Sequence, residues 1–150
     1  MALIDKYFSR DDLKRIAQAC AEVEKTTSGE VRVSIYNKKP WRLRKKSVFE
    51  VALAEFYRLG MDKTRDRTGI LLFILLKDRE FQILADEGIN KKVEQNTWDK
   101  IADELTDYFK KGRYVEGVIE TVKKMGKILS THFPRKPDDI NELSDEVSVR

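Results

Sequence analysis

The sequence predicts an α/β protein, a three-layer α/β/α sandwich whose small mixed β-sheet is flanked by about four helices. The first observation behind this prediction is the uninterrupted apolar run at residues 70–76, which is typical of a strand buried on both faces. The second is the alternation of strand and helix patterns along the chain. The third is the length of 150 residues, which suits a single domain with one core.

A helix and a strand open the predicted order of elements. Ser9 and Asp12 have the spacing of a helix N-cap and its acidic third residue, and apolar side chains follow at helical intervals. The polar stretch 26–29 ends this helix. Residues 30–36 then alternate between polar and apolar side chains, which predicts a strand.

A second helix and a hairpin follow. Ser47 and Glu50 form a capping box, and the broad apolar coverage from there to Gly60 predicts a helix that packs closely on the sheet. The apolar run 70–76 and the alternating segment 81–85 are separated by a short charged turn. This spacing favours an antiparallel hairpin.

Two helices and a tail complete the chain. The helices are predicted at about 95–110 and 115–129, with Gly112 in the turn between them. We therefore place a domain at residues 1–133 and an acidic, flexible tail at residues 134–150, because the tail has little periodicity and residues 137–150 carry a net charge of −4.

The order strand, helix, strand predicts that the first two strands run parallel, with the third antiparallel to the second. Strand direction then brings five acidic residues to one end of the sheet. They begin the first strand, precede the second or follow the third: Glu30, Asp62, Asp66, Asp86 and Glu87. The basic loop after the first strand is expected at the opposite end, near the turn at 77–80.

Converging carboxylates suit a hard divalent cation, Ca²⁺ or Mg²⁺, since both prefer oxygen ligands. The alternative is that these acids cap helices and form ion pairs with nearby cations, namely Lys63, Arg65, Arg67 and Lys91. Zinc is not expected, because His132 and Cys20 are the only histidine and cysteine in the chain. No phosphate-binding glycine motif indicates a nucleotide site.

The loop at residues 38–46 has six cations and no anion, with Trp41 among them. Three interpretations are open: a solvated loop, contact with an anionic membrane or protein partner, and nucleic-acid binding. We favour an unidentified protein or another anionic partner over nucleic acid, because no nucleic-acid-binding motif accompanies the charge.

Several classes of protein are not expected. The longest apolar run is too short for a membrane span, which needs about 20 residues. The sequence has no secretory leader pattern, so a cytoplasmic location is expected. Cys20 lies in an apolar helical pattern and is predicted to be a buried structural thiol. No Ser-His-Asp arrangement is available for nucleophilic catalysis.

A succession of short motifs resembles the TPM domain family over roughly residues 8–132. These motifs lie at residues 27–33, 60–63, 66–72, 78–79, 83–89 and 109–117. The resemblance implies an α/β/α sandwich that binds divalent cations through acidic loops, and plant members are linked to acid phosphatase activity. Relatives have Asn-Gly where this chain has Thr68-Gly69, with Arg67 inserted before it. The chain is most similar to the short soluble members of bacterial type.

Two functional hypotheses follow. In the first, the protein is a non-catalytic binding or regulatory module that is stabilised by a divalent cation at the acidic loops. In the alternative, it is a metal-dependent hydrolase of the acid phosphatase type. A basic side chain would then neutralise the phosphate of the substrate: Arg32, Lys63 or Arg67. We favour the first, because no side chain in the sequence is an evident nucleophile or proton donor.

Overall fold

The structure, a computed structural model, describes residues 2–137 and 143–150. The helices are α1 (Arg10–Glu24), α2 (Val48–Arg58), α3 (Glu87–Asn90), α4 (Gln95–Lys110) and α5 (Tyr114–His132). The strands are β1 (Glu30–Tyr36), β2 (Gly69–Leu75), β3 (Glu80–Ala85) and β4 (Ser148–Val149). Short 3-10 turns lie at Leu3–Lys6, Trp41–Leu43 and Met61–Lys63.

The four strands form one mixed sheet in the order β3-β2-β1-β4. β1 pairs parallel to β2, with Glu30 opposite Gly69, and β2 pairs antiparallel to β3, with Ile70 opposite Ala85. The predicted strand directions are therefore confirmed. The starts of β1 and β2 and the end of β3 lie together at one end of the sheet.

Two apolar clusters cover the two faces of the sheet. One packs α1, α4 and α5 against the side chains of Val33, Ile74 and Ile83, and the other packs α2 against Phe73 and Leu84. Every residue of β2 is buried, as its unbroken apolar sequence predicts. The three-layer α/β/α sandwich is thus confirmed.

Local sequence signals explain where the helices begin. The Ser9 and Ser47 hydroxyls accept hydrogen bonds from the third residues of α1 and α2, at 3.0 and 3.1 Å, and both capping boxes are complete. The predicted structural thiol is also confirmed: Cys20 is fully buried, and burial raises the pKa of its thiol. The short helix α3 was not predicted, because four residues are too few to show a helical period.

The C-terminal segment differs from the flexible tail predicted at residues 134–150. Ser148 and Val149 pair with β1, and the Arg150 N–H donates to the Ile35 carbonyl oxygen at 2.9 Å. The outer edge of β1 presents unpaired backbone groups, and this short strand satisfies them. Two residues have too little pattern to predict a strand, and the acids of the tail at 138, 139 and 142 lie outside the described residues.

Among the residues that the structure describes, no helix has both the length and the apolar character needed to cross a membrane.

Candidate functional site

The loops before β2 and after β3 contact each other at the acidic end of the sheet. The Asp86 N–H donates to the Gly69 carbonyl oxygen, and the Gly88 N–H donates to the Arg67 carbonyl oxygen, both at 2.9 Å. A β-carbon on Gly88 would lie 2.3 Å from the Asp66 carbonyl oxygen. Glycine at position 88 is therefore what allows the two acidic loops to come this close.

Arg67 lies between the acids of these loops. Its guanidinium donates to both carboxylate oxygens of Asp86, at 2.7 and 2.9 Å, and its Nη1 lies 3.6 Å from Glu87. Hydrogen bonding to Asp86 raises the pKa of Arg67, as do the nearby charges of Asp86, Glu87 and Asp62. Asp86 also accepts from the Glu87 N–H and caps α3. Asp86 and Glu87 therefore form the ion pairs and the helix cap that the alternative to a cation site predicts.

Asp62 and Asp66 complete the acidic end. Asp62 lies in the turn before β2, and its Oδ1 atom is buried without a hydrogen-bond partner among the described residues. Asp66 is exposed, with its carboxylate 3.6 Å from Arg65 Nε and 3.9 Å from Lys136 Nζ. The two carboxylates thus have different environments: Asp62 is half-buried, with one buried oxygen atom, and Asp66 is exposed to solvent.

Glu30 lies beside a further buried carboxyl that the sequence did not indicate as part of the site. Its neighbour is Glu24, the last residue of α1, which is 4% exposed and whose Oε2 accepts the Val31 N–H at 2.7 Å. Burial, a hydrogen bond to Asp145 and the proximity of Glu30 raise the pKa of Glu24 to about 11, although the Val31 bond lowers it. A pKa raised this far favours the neutral carboxylic acid form of Glu24 at pH 7.

The acidic end fits a divalent cation only in part. Across residues 2–137 and 143–150, no group of three or more histidine, cysteine or acidic side chains is arranged to hold a metal ion. Asp86 and Glu87 are engaged by Arg67, which supplies the positive charge of this site from within the chain. The unsatisfied Asp62 oxygen and the exposed Asp66 carboxylate are the oxygen ligands open to a hard cation.

The basic loop lies at the opposite end of the sheet, as predicted. Lys39 Nζ is 3.5 Å from Asp78 Oδ2 in the β2–β3 turn and donates to the Lys46 carbonyl oxygen at 2.7 Å. The Arg44 guanidinium lies 3.7 Å from the centre of the Trp41 ring, which is 76% exposed. The loop is folded on itself and presents an indole framed by cations.

A buried polar network around Glu55 was not predicted. Its carboxylate accepts from Ser34 Oγ at 2.5 Å, Tyr36 OH at 2.6 Å and Ser148 Oγ at 2.9 Å, and from two nitrogens of Arg58. Burial opposes ionisation, but these bonds outweigh it and lower the pKa of Glu55. The sequence feature that could have indicated this network is Glu55 itself, an acid on the apolar side of α2.

These features define a class: a small α/β/α sandwich with acidic loops at one end of a mixed sheet and basic loops at the other. The chain belongs to the TPM domain family, whose model matches residues 4–128. No curated protein matches the sequence.

Two solved structures are similar to this chain. The NMR structure of the BA42 protein from the psychrophilic bacterium Bizionia argentinensis is 33% identical, with a TM-score of 0.86 and complete coverage of both chains. The N-terminal domain of a protein from P. gingivalis is 16% identical, with a TM-score of 0.66, over 85% of this chain and 79% of that one. The second likeness shows the fold alone.

Proposed function

We propose that this protein is a non-catalytic binding module that takes Ca²⁺ or Mg²⁺ at the acidic end of its sheet. The observation that carries the proposal is the buried Asp62 oxygen without a hydrogen-bond partner in the described part of the chain. A buried unpaired oxygen costs about 1–3 kcal/mol, and a cation is a ligand that relieves this cost. Asp66 supplies a second oxygen ligand from the same loop.

Arg67 places a positive charge of the chain itself beside the proposed cation site. Its side chain already forms ion pairs with Asp86 and Glu87, so the loops stay together without a metal ion. A cation bound by Asp62 and Asp66 either adds to this pair or competes with Arg67 for Asp86. In both cases the cation stabilises the native loops, which is a structural role that needs no turnover.

Cation binding is expected to raise the melting temperature, because a ligand that binds only the native state stabilises it by about 2.7 kcal/mol at 100 times its dissociation constant. Melting curves with millimolar Ca²⁺ or Mg²⁺ and with a chelator measure this shift. Asp62→Asn should abolish it, whereas Arg67→Gln should strengthen binding by removing the competing cation. Asp78→Asn, at the opposite end of the sheet, is the matched control and should retain the shift. If neither Ca²⁺ nor Mg²⁺ changes the melting temperature, the proposed site is ruled out.

The phosphatase alternative has less support. Arg32 donates to the Glu146 carbonyl oxygen and Arg67 to Asp86, so two of its three candidate phosphate-binding cations already have other partners. Hydrolysis of p-nitrophenyl phosphate with added Mg²⁺ or Ca²⁺ separates the two hypotheses. Turnover that disappears in the Asp66→Ala, Asp86→Ala double variant would identify a hydrolase and overturn the non-catalytic role.

We also propose that the basic loop at residues 38–46 contacts an acidic protein segment. The support is its cationic surface around an exposed Trp41, where the indole adds apolar area to the charge. Polyglutamate is expected to bind with an affinity that falls as salt rises, because screening weakens contacts between exposed charges.

The Arg42→Gln, Lys45→Gln variant should lose most of this binding in a fluorescence titration of the tryptophans. Lys14→Gln, Lys127→Gln removes the same charge from exposed positions on α1 and α5 and should bind normally. Equal losses in the two variants would show that net charge, not this loop, is responsible.

A further inference from the structure

A cavity of about 530 Å³ opens beside the starts of β3 and α5, and neither the cation site nor the basic loop uses it. Its volume lies within the range of about 300–1,000 Å³ that is usual for small-molecule sites. The residues that line it come from five parts of the chain: Tyr7, Leu75, Leu76, Arg79, Phe81, Thr106, Phe109, Lys110 and Tyr114.

Four aromatic rings form the wall of this cavity around Phe109. The ring centres of Phe81 and Tyr114 lie 4.8 and 5.0 Å from that of Phe109, and the ring of Tyr7 lies 4.6 Å from Tyr114. These rings are half-buried, so they present aromatic surface to the cavity instead of closing it. Such a wall favours a flat or flexible apolar body over a polar one.

The polar groups of the cavity are all suited to an anion. Arg79 and Lys110 are exposed, and neither has an ion pair or a side-chain hydrogen bond with any described residue. The hydroxyls of Tyr7 and Tyr114 likewise have no hydrogen-bond partner in the described part of the chain, and no carboxylate lines the cavity. Arg79 also holds a left-handed backbone conformation, with φ at 54°. This conformation belongs to the β2–β3 hairpin turn, in which Arg79 lies.

We propose that this cavity binds a small organic carboxylate with an aromatic or aliphatic body. The body packs among Phe81, Phe109 and Tyr114, and the carboxylate lies between Arg79 and Lys110. Charge complementarity selects the anion, because two cations without an ion pair to any described residue line a cavity that has no acid in its lining. The site is separate from the acidic loops and does not depend on the proposed cation.

The test is a titration with 4-phenylbutyrate, its neutral amide and 4-phenylbutylamine, followed by NMR and calorimetry in buffer freed of divalent cations by a chelating resin. The carboxylate is expected to bind at least ten times more tightly than the amide, and the amine more weakly than both. The largest chemical-shift changes are expected at Phe81, Phe109 and Tyr114. Since the resin removes divalent cations, this result is independent of whether the acidic end binds metal.

Two variants test whether Arg79 and Lys110 are responsible for the preference for the carboxylate over the amide. Arg79→Asn and Lys110→Gln together should reduce carboxylate affinity to that of the amide, and asparagine is chosen because it tolerates a positive φ. Lys111→Gln removes one positive charge one residue beyond the cavity lining and should bind the carboxylate normally. An unchanged melting temperature in each variant shows that the fold is intact.

Three results would overturn the proposal. The first is equal affinity for the carboxylate and the amide, and the second is chemical-shift changes located at residues 38–46 instead of the aromatic wall. The third is the absence of binding by all three probes at millimolar concentration. Thr106→Trp, which fills the cavity from α4, gives an independent check, because carboxylate binding that survives it also contradicts this location.

Discussion

Replacing Glu55 with alanine is expected to destabilise the protein by about 3–5 kcal/mol, the usual cost of removing one partner from a buried ionic network. Glu55 is 1% exposed and accepts hydrogen bonds from the hydroxyls of Ser34 and Tyr36 in β1 and of Ser148 in β4. The variant leaves these groups and Arg58 without their shared acceptor. It also removes one of the hydrogen bonds between α2 and the C-terminal strand, where Arg58 donates to Ser148 as well.

The stability that is lost with Glu55 is expected to be greater at neutral pH than in acid. The pKa of Glu55 is lowered in the folded protein, because the hydrogen bonds from Arg58, Ser34, Tyr36 and Ser148 outweigh the burial that opposes its ionisation. Its stabilising contribution is therefore present above the ordinary value of 4.5 and is lost as pH falls through the folded value. Glu55→Gln keeps the volume and removes the charge, so it should match the wild type only in acid.

Urea unfolding of both variants between pH 3 and pH 8 measures the effect. Glu104→Gln is the matched control, because Glu104 pairs with Lys124 on the surface, where such pairs contribute about 0–1 kcal/mol. A loss of no more than the control value in Glu55→Ala would contradict a stabilising role for the network.

Replacing Glu24 with glutamine is expected to stabilise the protein at pH 7. Burial, the hydrogen bond to Asp145 and the charge of Glu30 raise the pKa of Glu24, so the folded state holds a proton that the unfolded state releases. Between the ordinary value of 4.5 and pH 7, this proton uptake costs about 3 kcal/mol, at roughly 1.4 kcal/mol for each pH unit. Glutamine is neutral, and its amide can still accept from the Val31 N–H.

The difference in the free energy of unfolding between wild type and Glu24→Gln is expected to increase with pH. A raised folded pKa makes the contribution of Glu24 greatest below 4.5, and this contribution falls as pH rises toward the folded value. The unfolding curves of wild type and Glu24→Gln are thus expected to converge near pH 4 and to separate toward pH 8. Glu22→Gln, an exposed position on the same helix, should show no such separation. A variant that is less stable than wild type at pH 8 would show that the carboxyl is ionised in the native state.

Much of the fold is predictable because its signals are local. The capping boxes at Ser9 and Ser47 begin two helices where the sequence places them, and the apolar run that becomes β2 specifies a strand buried on both faces. Strand order then determines strand direction, so the acidic and basic loops were placed at opposite ends correctly. The same reasoning brought Asp66 and Asp86 to the same end of the sheet.

The candidate site was predictable only as a location. Glu30 begins β1 at the correct end, yet the sequence did not indicate that it lies beside the buried carboxyl of Glu24. Side-chain partners depend on which rotamers and backbone angles the packing selects, and Arg67, with φ at 55°, is an example. No spacing along the chain indicates that an arginine beside a predicted cation site binds its carboxylates.

The sequence by itself therefore determined the α/β/α architecture, the order and direction of the three long strands, and the two charged ends of the sheet. Only the tertiary structure decided the partners of Arg67, the opposite directions of the pKa shifts of Glu24 and Glu55, and the pairing of β4 with β1. The reason is physical: periodicity and capping act over a few residues, whereas burial and hydrogen-bond satisfaction join groups about 100 positions apart, as for Glu55 and Ser148.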